Sequence, residues 1–182
     1  MVHEIHPTIL VGASTAAGAF TKEIVQDMAA HTSWPIIFPL SNPADLAEAS
    51  ADDLLHWTDG KAFVATGTAS RKVAYHHTIF DIGQANNSLV FPGMGLAVTA
   101  CRAKRVSKGM LAAAAHALAD LVDSSKPGAA VLPPVREMGN FTRILAEKVI
   151  RQAVKEGLNQ IPMEDPGKAI AAVHWDAEYK DL

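Results

Sequence analysis

The protein has 182 residues, of which 49% are hydrophobic and 19% charged, and its formal net charge at pH 7 is −3. This composition is typical of one globular domain with a sizeable core. The weak negative charge argues against a nucleic-acid or membrane-surface partner. The apolar runs are too short for a membrane span, and the opening MVHEIHPTIL is too polar for a signal peptide. With Cys101 as the single cysteine, we expect no internal disulfide and a cytoplasmic location.

The first part of the chain alternates between two patterns. Three short apolar runs (PTILVGAS, PIIFPLSN and KAFVATG) are separated by two stretches of helical spacing, FTKEIVQDMAAH and PADLAEASADDLLHW. Short continuous runs between helices are typical of parallel strands that are buried on both faces of a sheet. The sequence therefore predicts an α/β fold built from βαβ units.

The residue pattern in the second half of the chain predicts helices. SKGMLAAAAHALADLVD has the spacing of an amphipathic helix whose buried face carries Leu111, Ala115, Leu118 and Val122. After the loop SKPGAAVLPP, NFTRILAEKVIRQAVKEG predicts a helix whose buried face carries Ala146, Val149, Ile150 and Ala153. Gly157 is expected to end that helix, and Asp165 to cap a last helix that begins at Pro166.

Small polar residues follow each predicted strand, at Gly12 to Thr15, at Ser41 and Asn42, and at Thr66 to Ser70. The carboxyl ends of parallel strands meet at one rim of a sheet, and open α/β sheets bind ligands there. Taken singly, most of these serines and threonines are better explained as turn residues and helix caps. Asn42 calls for another explanation.

Asparagine is depleted in strands and costly to bury without a partner. Ser41 and Pro43 already suffice for the turn, so the Asn42 amide is free to face the crevice. Its donors and acceptor suit a carboxylate or the carboxamide of a nicotinamide. Asn86 and Asn87 precede a second apolar run and leave two interpretations open: ligand contacts, or loop residues that cap their own backbone.

The sequence lacks the common nucleotide and metal motifs. GASTAAG comes closest to the dinucleotide fingerprint G-x-G-x-x-G, but its spacing does not match. There is no Walker loop, paired cysteine or H-E-x-x-H. His76 and His77 are expected in a surface loop, and Asp52 and Asp53 at a helix flank. No metal site is predicted in this chain.

Ser14 keeps a different class of function open. GASTA nearly matches the nucleophile elbow G-x-S-x-G and follows a predicted strand. However, Ala16 replaces the last glycine and Gly18 separates the serine from the helix, whereas an elbow needs the helix at once. A serine hydrolase remains an alternative, for which the candidate bases are His31, His56 and His116. A ligand-binding domain without catalysis is a further alternative.

Several longer stretches, taken in order, resemble the carboxyl-terminal part of the malic enzyme and malolactic enzyme family. They are LVGASTAAGAFTKEIVQDMA, WPIIFPLSNPA, WTDGKAFVATG, QANNSLVFPGMGLA, VLPPV and HWDAEY. The resemblance runs from about residue 7 to the end. It implies that residues 1–182 form the carboxyl-terminal part of an NAD-binding domain: a partial Rossmann-like parallel sheet flanked by helices, with additional C-terminal helices.

The resemblance also implies ligand contacts. Asn42 would contact malate and the nicotinamide of NAD, while Asn86 and Asn87 would contact the malate carboxylate. The rim positions Ser14 and Gly67 are further predicted contacts to NAD. The intact family enzyme converts L-malate to pyruvate and CO₂ with NAD and Mg or Mn, or to L-lactate and CO₂ in the malolactic branch. The sequence does not separate the two branches.

The resemblance assigns no catalytic or metal-binding residue to this chain. The family's catalytic tyrosine and lysine, its metal-binding carboxylates and its glycine-rich loop precede the matching segment, so we expect the chain alone to be inactive. Ala44 stands where the family usually has threonine, and residues 67–70 replace a Gly-Ser-Pro-Phe stretch. A truncated sheet would expose a strand edge, so we also expect a homo-oligomer.

Overall fold

The computed structural model describes residues 2–175. The chain divides into two compact units, the first comprising residues 1–86 and 121–135 and the second residues 87–120 and 136–182. Whether the two act together as one NAD-binding domain stays a prediction. Residues 176–179 of the stretch HWDAEY lie outside the described residues.

The first unit contains a parallel sheet. Its elements are α1 (Val2–Ile5), β1 (Ile9–Gly12), α2 (Lys22–His31), β2 (Ile36–Pro39), α3 (Ala51–Trp57), β3 (Phe63–Thr66), β4 (Val73–Tyr75), β5 (Thr78–Phe80) and β6 (Gly83–Gln84). Strands β1, β2, β3 and β6 pair in that order, all parallel, while β4 and β5 form an antiparallel hairpin. The predicted α/β fold with a parallel sheet is confirmed.

Side-chain caps fix where the helices of the first unit begin. The Thr21 hydroxyl accepts a hydrogen bond from the backbone N–H of Ile24 at the start of α2. At α3, the Ser50 hydroxyl accepts from the Asp53 N–H at 3.0 Å and donates to the Asp53 carboxylate at 2.7 Å. The stretch PADLAEASADDLLHW is therefore not one continuous helix. A short 3₁₀ turn at Ala44–Leu46 comes first, and α3 starts only after its own cap.

Helices α2 and α3 cover one face of the sheet. Their core contacts involve Val25, Met28, Leu54 and Leu55 with the strand residues Ile37 and Val64. The prediction that the strands are buried on both faces is wrong for the edge strand β1. Ile9 and Val11, on the side opposite the half-buried Leu10, are each 55% exposed. Hairpin residues His76 and His77 lie in an exposed turn, as predicted.

The second unit is helical. Its helices are α4 (Phe91–Cys101), α5 (Lys108–Ala119), α6 (Met138–Lys155) and α7 (Pro166–Val173). The predicted buried face of α6 is confirmed at all four of its residues. Gly157 follows α6 with a φ of +65°, a backbone region that favours glycine. The Asp165 side chain accepts from the Lys168 N–H at 3.2 Å and caps α7 as predicted.

The predicted buried face of α5 is confirmed at Leu118 alone and is wrong at Leu111, Ala115 and Val122. The residues that α5 buries are Met110, Ala114, Ala117 and Leu118, whereas Leu111 is 52% exposed and Val122 lies beyond the helix end. The run LAAAAHALA places an apolar residue on nearly every face, so spacing alone does not select one. The alanine-rich side packs in the same core as α4 and α6.

Helices α4 and α6 pack closely against each other. Gly93 lets α4 approach α6, because a Cβ there would lie 2.6 Å from Leu145 Cδ2. Within residues 2–175, no helix has the length and apolar character needed to cross a membrane.

Candidate functional site

The carboxylate of Glu48 joins the loops that follow β1 and β2. Its Oε1 accepts hydrogen bonds from the Ser14 N–H (2.7 Å), the Ser14 hydroxyl (2.8 Å) and the Ser41 hydroxyl (2.6 Å). Its Oε2 accepts a longer one from the Ser41 N–H at 3.4 Å. The Ser41 hydroxyl also accepts from the Thr15 N–H at 2.8 Å. Since Glu48 is fully buried, these donors take the place of water.

The network keeps Glu48 ionised. Burial raises the pKa of the Glu48 carboxyl, but the hydrogen bonds from Ser41 and Ser14 outweigh burial and lower the pKa to about 2. Gly12 lies directly against this side chain, because a Cβ at residue 12 would approach Glu48 Cδ to 2.6 Å. A buried anion therefore fixes the relative positions of two strand-end loops, and the close approach at residue 12 requires glycine.

Sequence reasoning missed Glu48. The residue lies in LAEAS, between small apolar residues, within the stretch to which helical spacing was assigned, and that spacing does not single it out. The only available signal was the apolar flank, Leu46 and Ala47 on one side and Ala49 on the other, which is unusual around an exposed acid. The nearby Ser50 cap, which separates Glu48 from α3, was not predicted either.

Asn42 follows the anchored Ser41 directly. Its side chain is exposed and makes no hydrogen bond with the described residues, whereas Ser41 is buried and fully engaged with Glu48. The peptide bond from Asn42 to Pro43 is cis. An amide at the carboxyl end of β2 is thus held on an anchored backbone with its polar atoms available to a ligand.

Asn86 lies at the same rim of the sheet as Asn42. It comes two residues after β6, and the intervening Ala85 N–H donates to the Thr66 carbonyl at 2.9 Å, which extends the pairing with β3. Asn87 begins a 3₁₀ turn, Asn87–Leu89, in the second unit, and its carbonyl accepts from the Val90 N–H. Both side chains are exposed. Their contacts to malate stay predictions.

Gly67 has a structural role at this rim. Its N–H donates to the Pro39 carbonyl at 3.2 Å, and a Cβ at residue 67 would collide with the carbonyl of Leu40. The adjacent Thr66 hydroxyl donates to the Thr68 carbonyl at 2.8 Å, which tightens the turn after β3. The close backbone approach explains the glycine without a ligand, so the predicted contact of Gly67 to NAD remains untested.

Comparison with known protein families identifies the family of this chain. The family model described as malic enzyme, NAD binding domain, matches residues 1–154. The chain belongs to the malic enzyme NAD-binding domain family. The suspected resemblance and the Rossmann-like fold that it implied are therefore confirmed.

Relatives of known name cover the whole chain. The chain is 49% identical over 182 residues to a malolactic enzyme of Lactiplantibacillus plantarum and 42% identical over 182 residues to NAD-dependent malic enzyme 3 of Bacillus subtilis. It spans 33% and 32% of those two proteins, about a third of their length.

Solved structures of malic enzymes share the fold. The malic enzyme of Entamoeba histolytica superposes with a TM-score of 0.73 at 23% identity, covering 94% of this chain and 32% of that one. The malic enzyme of Pyrococcus horikoshii superposes with a TM-score of 0.71 at 22% identity, covering 91% of this chain and 34% of that one.

The rim suits the nicotinamide end of the NAD that this family name implies. The Asn42 amide is exposed, uncharged and able both to donate and to accept, as a carboxamide partner must be. Ser14 is exposed as well, although its hydroxyl already donates to Glu48 and accepts from the Ala16 N–H at 3.2 Å. Ser14 can therefore offer a ligand only the lone pair that remains.

The rim does not suit the Mg or Mn that the family resemblance implied for the intact enzyme, with ligands outside this chain. Hard divalent cations need several oxygen ligands. The Glu48 carboxylate is buried and carries four hydrogen bonds, and the other nearby carboxylate, Asp45, is exposed. Among residues 2–175, no group of three or more acidic, histidine or cysteine side chains converges at this rim.

The serine hydrolase alternative does not find its geometry at Ser14. The hydroxyl donates to the Glu48 carboxylate rather than to His31, His56 or His116. Helix α2 begins only at Lys22, eight residues later, so the strand does not turn directly into a helix as an elbow requires. The Glu48 carboxylate that holds this loop would repel the negatively charged oxygen that forms during ester or amide hydrolysis.

A cavity of about 570 Å³ lies elsewhere in the first unit. Its walls come from Trp34, Leu55, residues 59–64, several residues between 75 and 82, and residues 124–129, including Lys61 and Phe63 at the amino end of β3. The described rim residues Ser14 and Asn42 are not among its walls. The cavity is therefore at the opposite end of the strands from the rim.

Proposed function

We propose that this chain is the NAD-binding part of a longer enzyme that oxidises and decarboxylates L-malate. The family match and the names of the relatives support this proposal, because the chain corresponds to about a third of proteins named malolactic enzyme and NAD-dependent malic enzyme. The observation that carries it is the Asn42 amide, exposed beside a serine that a buried anion anchors.

In this proposal the chain binds and orients its ligands. The Asn42 amide donates to the malate carboxylate and faces the nicotinamide carboxamide, while Asn86 and Asn87 donate to the malate carboxylate. NAD, when bound, accepts the hydride from C2 of malate. Ser14 and Gly67 border the cofactor, and Glu48 keeps the two loops rigid, so that little ordering cost is incurred when the ligands bind.

The malolactic reaction is a second candidate, in which malate gives L-lactate and CO₂ without net release of NADH. The higher identity to the malolactic enzyme, 49% against 42% for the Bacillus subtilis malic enzyme, favours it. The malic reaction gives pyruvate, CO₂ and NADH. The residues of the rim would serve both reactions, because both begin with the same binding of malate and NAD.

The proposal includes assembly. Strand β1 is an edge of the parallel sheet, and its Ile9 and Val11 side chains are exposed on one side. Parallel strands are normally covered on both faces, and exposed edges pair with other chains. We therefore propose that a further polypeptide covers this surface, either another part of the longer enzyme or a second copy of the protein. The cytoplasmic location expected from the single cysteine is also part of the proposal.

The experiment uses a chimeric enzyme. This chain replaces the matching third of the Lactiplantibacillus plantarum malolactic enzyme, and pyruvate, NADH and lactate are each measured with malate, NAD and Mn²⁺ present. We expect turnover by the chimera and none by the isolated chain. A folded, NAD-binding chimera without turnover would contradict the proposal, as would robust turnover by the isolated chain. Lactate without NADH identifies the malolactic reaction, and pyruvate with NADH the malic one.

A further inference from the structure

Three histidines surround Asp27 at the amino ends of β1 and β2. His3 lies in α1 and His6 follows it, three residues before β1, while Asp27 and His31 lie one turn apart at the end of α2. The ligand-bearing atoms of His6, Asp27 and His31 all lie within 4.8 Å of one another. The His3 Nδ1 is 3.1 Å from Asp27 Oδ2. This group, called the His/Asp cluster below, comprises these four residues.

One oxygen of the carboxylate at the centre of the cluster is shielded from solvent. Asp27 Oδ2 is buried and no hydrogen bond among the described residues ends on it, although His3 Nδ1 lies 3.1 Å away. His6 Nδ1 lies 3.6 Å from the same oxygen. A buried carboxylate oxygen on which no hydrogen bond ends is available to bind a cation.

One of the two ring nitrogens of His31 is already engaged by the backbone. Its Nδ1 lies 2.8 Å from the Asp27 carbonyl, so we assign the Nδ1–H as a donor to that oxygen, which leaves the Nε2 lone pair free. Metal-binding histidines commonly donate their second N–H to a carbonyl in this way. The His6 ring stacks on His31 at 3.6 Å between centroids, with 24° between planes. Binding one ion requires the two rings to turn out of this stack, so that their lone pairs converge at the separation of about 3.4 Å found in tetrahedral zinc sites.

We propose that the His/Asp cluster binds one divalent transition-metal ion of the zinc class. His6, Asp27 and His31 are the ligands, and His3 supplies the fourth. Three imidazoles and one carboxylate suit Zn²⁺, Ni²⁺ or Cu²⁺ and do not suit Mg²⁺, which requires oxygen ligands. The bound ion ties α1 to α2, and it lies at the end of the strands opposite Asn42. The binding is independent of the proposed reaction with malate.

The chain contains a matched control for this proposal. On α3, His56 Nδ1 lies 2.8 Å from the Asp52 carbonyl and 3.5 Å from the Asp52 carboxylate, one turn apart as in the Asp27 and His31 pair. That second pair is not part of a three-ligand group among the described residues. His56→Gln therefore removes an equivalent exposed histidine while the His/Asp cluster stays intact.

The test is a titration of the tag-free chain with Zn²⁺ against a fluorescent chelator, repeated with Co²⁺ to record its visible absorption. We expect one equivalent with the intense spectrum of a tetrahedral site. We expect His6→Gln and Asp27→Asn each to weaken binding by roughly tenfold or more, since even outer-shell changes cost that much. His56→Gln should bind like the unmodified chain. Excess Mg²⁺ should not compete.

Two results of the same titration would overturn the proposal. The first is that the folded chain does not bind Zn²⁺ stoichiometrically. The second is that His6→Gln and His56→Gln lose affinity equally, which would indicate binding to scattered surface histidines. Thermal unfolding provides a second readout. At a hundredfold excess over Kd, bound Zn²⁺ should raise Tm by roughly 5–10 °C, and His6→Gln should abolish that rise. Because His6 is 39% exposed, its replacement should leave the fold intact.

Discussion

Replacing Glu48 with glutamine should destabilise the first unit through the loss of a charge. The glutamine oxygen can still accept the three hydrogen bonds that now end at Oε1, but its amide would face the Ser41 N–H, donor against donor. Glu48 is fully buried, and its pKa falls from 4.5 to about 2, which corresponds to at most about 3.4 kcal/mol of stability. Because the Ser14 loop above it is exposed to screening water, we expect about 1–3 kcal/mol.

The pH dependence separates the charge from packing. A carboxylate whose pKa is lowered by folding contributes its stability above the unfolded pKa and loses it as the pH falls from about 4.5 toward 2. Urea unfolding of the unmodified chain and of Glu48→Gln should therefore differ fully at pH 7 and by only about half as much at pH 3. Glu164→Gln, at an exposed carboxylate, is the control and should not differ at either pH.

Two outcomes would refute this reasoning about Glu48. If Glu48→Gln is as stable as the unmodified chain at pH 7, the buried carboxylate does not hold the two loops. If the difference is the same at pH 7 and pH 3, the loss comes from shape and hydrogen-bond geometry rather than from charge. Either result would remove the argument that Ser41, and with it Asn42, is fixed by an anion.

Three further predictions concern a close backbone contact, a buried helix face and a helix cap. Gly67→Ala should lower Tm and loosen the turn after β3, because its Cβ would collide with the Leu40 carbonyl; unchanged thermal unfolding would contradict that contact. Met110→Ala should lower the free energy of unfolding in urea by about 2–5 kcal/mol and Leu111→Ala by much less, because Met110 is buried and Leu111 is exposed. Equal losses would contradict the observed buried face of α5. Asp165→Ala should cost about 1 kcal/mol by loss of the α7 cap, and Asp165→Asn should largely restore it.

Regular local patterns were enough to predict much of the fold. The parallel strands follow from short apolar runs between helices, and α6 follows from its strict helical spacing, because a helix with one apolar face has one way to pack. The α5 face could not be predicted in the same way, since alanine is apolar on every side of that helix. The hairpin of β4 and β5 was missed because its strands have three residues each.

The candidate site was predictable only in part. Asn42 stood out because asparagine is a poor choice at a strand end, and the structure places it exposed at the expected rim. Glu48 could not be found, because its partners Ser14 and Ser41 are 34 and 7 residues away and the contacts depend on the sheet order. The His/Asp cluster also joins two separate elements. Only the spacing of Asp27 and His31 along one helix was visible in the sequence.

The measurement that tests the central claim most directly is kcat/KM for malate in the active chimera with Asn42→Ala. The account predicts a loss of roughly ten- to a hundredfold at unchanged Tm, because a hydrogen bond to a charged group contributes about 1.5–3 kcal/mol. Asn159→Ala is the control, since that side chain donates to the Ile161 carbonyl at 2.9 Å and should affect Tm alone. An Asn42→Ala chimera with normal kcat/KM would contradict the claim that this rim binds malate.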